Sequence, residues 1–271
     1  MNNKTLEQIE KRKLDKVFVV LYVLELETYI QKGEGINKEK VYIFTECNLK
    51  GERRFIKTAL ANDFKKVSDF YEEFKLMKSK GLEEVIYAVV PNIDNLKKAL
   101  KLMFMNIEIF ENCHNPLNKI GKYFSLKEMR NIEKFIRGIY LSETIRESEI
   151  NYNNFKECYQ SYPFILDMIK DNLDDAKNYY KYNLSLRKAI FAYYYIREFI
   201  KSSIVLLHQR DYYISTDEIT IRLIPLIQKM EKKMFTTKVL WAEILNFIYK
   251  EKQDLIKAFL CCIILINLRG I

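Results

Sequence analysis

The chain predicts an α+β fold: a mixed sheet built within the first 110 or so residues, then helices to the end. Three observations carry this. Three β-branched runs joined by tight turns open the chain, a compact strand–helix–strand segment follows at Gly81–Phe110, and from Ser125 onward apolar residues recur at helical spacing. At 271 residues, 49% of them hydrophobic, there is material for one large domain or for a core with one sizeable insertion. Only seven Gly and four Pro are present, which leaves little for long irregular loops and favours helix.

Residues 1–13 predict a short polar helix. VFVVLYVLELETYI (Val17–Ile30) predicts a strand that begins to alternate after Leu24. KGEGINK turns the chain into a second strand, KVYIFTECNL, and the segment around Gly51 turns it again into RFIKTALA. Consecutive strands joined in this way make an antiparallel meander. Asn62 is placed to cap a helix at Asp63–Lys80, whose Phe64, Val67, Phe70, Phe74 and Met77 share one face. Glu83–Val90, Asn92–Phe104 and Ile107–Phe110 then form strand, helix and strand, the βαβ unit of a parallel sheet. Chemistry collects at the carboxyl edge of such sheets, and here that edge is Val90-Pro91-Asn92. Further on, Ser125 with Glu128 and Ser215 with Glu218 fit the S-x-x-E capping box. Pro163 punctuates the helical region, and Pro225 is expected to kink or break its helix.

The balance of 45 basic to 36 acidic residues gives a formal charge of +9, which suits a polyanionic partner or simple solubility. The five cysteines stand at irregular positions and predict reduced thiols of a cytoplasmic protein. The polar N-terminus is no secretory signal, and the apolar run Ala258–Ile266 is shorter than the roughly 20 residues of a membrane span. No membrane contact is expected. His114, His208 and Cys113 lack a second cysteine pair at zinc spacing, and no G-x-G-x-x-G, P-loop or G-x-S-x-G occurs. The aromatic run Phe191, Tyr193, Tyr194, Tyr195 fits core packing on an apolar helix better than base stacking.

Three strands, a helix and two more strands is the order of the RNase H-like fold, and the residues themselves resemble a family of that class. LDKVF (Leu14–Phe18), KVYIFTECNLKGERR (Lys40–Arg54), the long segment Tyr162–Phe191, STDEITIRLIPL (Ser215–Leu226) and LWAEILNF (Leu240–Phe247, with Trp241) are similar, in that order, to Mutator-type bacterial insertion-sequence transposases. The resemblance spans Leu14 to about Phe247. It implies an RNase H-like sheet core at residues 1–112, a large helical insertion at 113–186 and C-terminal helices at 187–271 that complete the core. It also implies DNA as partner, with self-association left open, and metal-dependent strand cleavage and transfer with Mg²⁺. The N-terminal DNA-binding region usual in the family is expected to be missing.

The family's three catalytic carboxylates map unevenly. The first Asp is retained as Asp15, a vestigial metal ligand; the second position holds Pro91 and the third Arg197. Proline has no ligand atom and arginine repels a cation, whereas hard divalent ions need oxygen ligands. Asp94 and Glu198 stand close by in sequence but substitute only if the backbone shifts. The resemblance therefore predicts a catalytically defective copy, or alternatively a non-enzymatic DNA-binding or protein-interaction module on the same fold. Candidate nucleic-acid contacts are Arg187 and Lys188 with Lys127, Arg130, Lys134 and Arg137 of the insertion. If those four share one face, DNA is favoured; if they scatter, the charge is only solubilising.

Overall fold

A computed structural model describes residues 2–111, 123–167, 177–190, 193–233 and 238–252. They fall into two compact units, one containing Met1–Glu111 and Ala192–Lys238, the other Asn112–Phe191 and Val239–Asp254.

In the first unit α1 (Asn2–Glu10) leads into β1 (Val17–Lys32), β2 (Gly35–Asn48) and β3 (Arg53–Leu60). β1 runs antiparallel to β2 over its whole length, closing at Lys32 opposite Gly35. The two-residue turn between them needs a positive φ at its first position, and Gly33 supplies it at 61°. α2 (Val67–Ser79), β4 (Glu84–Val90), α3 (Asp94–Met103) and β5 (Glu108–Glu111) follow. β4 lies parallel to β1 and β5 parallel to β4, so the sheet order is β3-β2-β1-β4-β5. The predicted α+β class, with an antiparallel meander extended by a βαβ unit, is the observed one.

Val17 to Leu24 are all buried, as expected of a central strand covered on both faces, and only beyond Leu24 does β1 alternate between buried and exposed. One covering layer is α2 and α3: Phe70, Phe74 and Met77, with Leu96, Ala99 and Leu100, close over Phe18, Val23, Phe44 and Val85. α7 (Tyr193–Leu207) packs on β1 and α8 (Thr216–Glu231) on β3. Tyr213, between them, pairs its backbone with β1 at Tyr29 and Gln31.

Asn62 does not cap α2: residues 61–63 form a 3-10 turn, and the Asn62 amide donates to Glu39 of β2. α2 starts only at Val67, where the Asp69 carboxylate accepts from the backbone N–H groups of Lys65 and Lys66 at 2.9 and 2.8 Å. Pro225 does not break its helix, since α8 runs through it. The ring lies on the exposed side of α8, so the Ile221 carbonyl that it deprives of a donor shares a solvent-accessible face.

The second unit contains α4 (Leu126–Leu141), α5 (Ile145–Cys158), α6 (Leu184–Ile190) and α9 (Lys238–Glu251), the last entering it from Val239. Ser125 and Glu128 cap α4 reciprocally as expected, and Thr144 with Glu147 does the same for α5. Ser215 accepts from the Glu218 N–H, but the Glu218 carboxylate accepts from Ile214 rather than from Ser215.

Arg187 ties the second unit together. Its side chain is 3% exposed and stacks on Tyr180 at 4.2 Å. It donates to the carbonyls of Tyr182 (3.2 Å), Tyr140 (2.8 Å) and Ser142 (2.8 Å), joining α6 to the end of α4. Each buried acceptor left unpaired costs about 1–3 kcal/mol. Arg187→Ala is therefore expected to lower stability in urea unfolding by at least about 3 kcal/mol. Arg187→Lys should recover little, because one ammonium cannot span three acceptors. Exposed Lys188→Ala should stay within about 0.5 kcal/mol of the wild type.

Candidate functional site

The β1–β4 ladder fixes where the predicted catalytic positions lie. Val17 stands opposite Glu84 and Tyr22 opposite Val89. Pro91 thus follows the carboxyl end of β4, whereas Asp15 precedes the level of its first residue. The seven residues of β4 lie between them, about 23 Å at roughly 3.3 Å per residue. The structure does not bring Asp15 and Pro91 together. Arg197 belongs by its backbone to α7, and its side chain lies outside the described residues. Glu198 is exposed on the same helix.

At the carboxyl edge Pro91 is buried and Asn92 exposed. Lys97 of α3 reaches this edge. Its ammonium donates to Asn92 Oδ1 at 2.8 Å and Glu111 Oε1 at 2.6 Å, and lies 3.4 Å from Asp94 Oδ1. Partial burial pulls the lysine pKa down, but the bond to Glu111 and the charges of Glu111 and Asp94 outweigh it, so the net direction is up. Three oxygen donors at the end of β4 and β5 are thereby committed to a cation that belongs to the chain itself.

Asp15 belongs to a different constellation. Its Oδ2 accepts from Asn48 Nδ2 and from Arg54, both at 2.8 Å. The same two side chains hold Glu52 at 2.9 and 3.0 Å. Beside them Glu46 of β2 is 1% exposed, and among the described residues neither carboxyl oxygen has a hydrogen-bond partner. Arg54 is its direct cross-strand neighbour, yet the guanidinium turns to Asp15 and Glu52. Burial, then the charge of Asp15, pushes the Glu46 carboxyl well above the usual carboxylate range, with Arg54 opposing and Glu52 adding to the rise.

Among the described residues no three His, Cys, Asp or Glu side chains are placed to hold a metal ion. A pair of divalent cations requires several unengaged carboxylates converging within a few ångströms. Neither edge offers that donor set, so the residues described do not fit a two-metal centre. Cys113 and His114 lie outside the described residues.

The basic candidates separate sharply. Arg187 is a core residue with its donors spent on carbonyls, so it is unavailable to a phosphate. Lys188 is exposed. Lys127, Arg130, Lys134 and Arg137 are all exposed on α4, and at 3.6 residues per turn they fall within about 80° of arc. None of the four is in an ion pair among the described residues.

Strand order 3-2-1-4-5 with only β2 reversed defines an RNase H-like α+β protein. A family profile described as "Transposase, Mutator family" matches residues 2–203, and the chain belongs to that family. A comparison with curated proteins finds no match. No helix among the described residues is long and apolar enough to cross a membrane.

Sequence reasoning passed over Glu46 and Lys97. Asp94 and Lys97 form a visible i,i+3 pair, but the arrival of Glu111 depends on β5 pairing with β4. Glu46 follows an apolar run, between Thr45 and Cys47, and its own charge argues for an exposed position. Because the folded protein keeps the Glu46 proton at pH values where the unfolded chain has lost it, the sign of its linkage is set. Its contribution to stability is whole below the ordinary carboxylate range and falls as pH rises toward the raised folded value. Glu46→Gln is expected to lose this decline and to be more stable than the wild type near neutral pH. Urea midpoints from about pH 5 to 8 check this, and parallel curves for the two proteins would contradict it.

Proposed function

We propose that this member of the Mutator transposase family is catalytically silent and acts by contacting DNA. The observation that carries the silent half is the carboxyl edge of β4. It presents a buried proline and a lysine ammonium engaged by Asn92, Asp94 and Glu111, where phosphoryl transfer would need free carboxylates. The described face of the molecule best suited to DNA is the α4 stripe of Lys127, Arg130, Lys134 and Arg137, which spans about 15 Å at 1.5 Å per residue. Exposed cations at that spacing neutralise phosphates and release counterions.

A protein-interaction module on the same fold is the second reading. It is favoured by the commitment of Arg54, Lys97 and Arg187 to internal contacts. The two readings differ in what salt does to DNA affinity.

With Mg²⁺ or Mn²⁺ and DNA carrying the element's ends, no nicking above background is expected. Robust cleavage that requires the divalent metal would overturn the silent reading. DNA affinity is expected to fall steeply with salt. Replacing any one stripe residue by Gln should reduce the slope of log K against log salt by about 0.9 without altering sequence preference. Absence of binding even at low salt would leave the interaction module as the standing reading.

A further inference from the structure

A column of aromatic rings runs through the second unit and emerges on its surface. At its inner end Phe155 of α5 is fully buried and packs against Phe135 of α4 at 5.7 Å and Tyr159 at 4.8 Å. Tyr159, 8% exposed, meets Phe124 at 6.3 Å. Phe124 in turn contacts Tyr162 at 5.1 Å and Phe164 at 6.4 Å, and Tyr123 meets Phe164 at 5.5 Å. Here the rings reach water: Tyr162 is 40% exposed, Phe164 46% and Tyr123 61%. A contiguous group of exposed rings is the kind of surface that partners use.

Its neighbourhood says what. Phe124 immediately precedes Ser125, the N-cap of α4, and Lys127, the first residue of the cationic stripe, lies in the first turn of that helix. Glu128, the acidic residue of that turn, is occupied as the cap partner of Ser125, whose bonds hold its carboxyl below the ordinary range. The surface therefore combines rings at the start of a helix with exposed cations along it. A closed duplex presents mainly phosphates and groove edges and makes no use of exposed ring faces. Unpaired nucleotides do: their bases stack on aromatic side chains while cations follow the backbone.

We propose that Tyr123, Tyr162 and Phe164 form a base-stacking platform for a single-stranded stretch of DNA whose phosphates run along Lys127, Arg130, Lys134 and Arg137. This inference rests on the DNA-contact reading of the α4 stripe and adds that the preferred partner is unpaired. The inner rings anchor the platform in the unit's core, so the outer ones are held in place before a strand arrives, which lowers the ordering cost of binding.

The test compares a labelled oligo-dT strand with a duplex of equal length by fluorescence anisotropy, using the full chain. Tyr162→Leu, Phe164→Leu and Tyr123→Leu keep apolar bulk and remove the π face. Each ring that stacks is expected to cost about tenfold in single-strand affinity when replaced. Duplex affinity and the single-strand salt slope should not change. Unchanged single-strand affinity in all three variants, or an equal loss on duplex, overturns the platform. Wild-type binding to duplex without preference for the single strand overturns it too, while leaving the cationic stripe standing. Binding to neither overturns both. Photocrosslinking of a 5-iodouracil-substituted strand to the wild-type protein needs no variant. Crosslinks mapped to Tyr123, Tyr162 or Phe164 support the platform, and crosslinks confined elsewhere reject it.

Discussion

The double pairing of β1 is the constraint on which the first unit depends. This strand runs antiparallel to β2 on one side and parallel to β4 on the other. A strand paired on both edges must have both faces covered to bury its apolar residues, and that requirement recruits α2 and α3 over one layer and the C-terminal helices against β1 and β3. The ladder also fixes the level of every residue along it. Once Val17 lies opposite Glu84, Asp15 and Pro91 belong to opposite ends of the sheet, whatever their side chains could do together.

Charge is used differently in different parts of the chain. At one end of the sheet Arg54 and Asn48 gather Asp15 and Glu52 while Glu46 is buried beside them. At the other, Lys97 neutralises Glu111 and Asp94. These groups are committed inside the fold, where a local ammonium or guanidinium answers the carboxylates. The α4 stripe is the contrast: its four cations face solvent on one side of a helix. The formal +9 is therefore partly architectural and partly a surface field, and only the second kind can attract a polyanion.

Most of the fold was legible because it is written in local periodicity. The meander, the βαβ unit and the capped helix at Ser125 follow from residues close to one another in sequence. Errors arose where a local signal had a distant competitor. Asn62 has the chemistry of a cap, but Glu39 on β2 lies within its reach and takes its amide. Pro225 has the chemistry of a helix breaker, but it falls on an exposed face where the freed carbonyl costs little. Arg187 has the chemistry of a phosphate contact, but two carbonyls from the end of α4, more than 40 residues away in sequence, converge on it beside the local one of Tyr182.

By itself the sequence determined the fold class, the strand count and order along the chain and the family, since each rests on patterns within one element or on ordered segments. Tertiary structure alone decided which side chains meet. Register separates Asp15 from Pro91, β5 delivers Glu111 to Lys97, and packing of Phe124 against residues near the end of α5 lifts Tyr123, Tyr162 and Phe164 into one exposed group. The physical reason is common to all three: a contact between distant segments is fixed by how whole elements pair and pack, and no short window of residues contains that information.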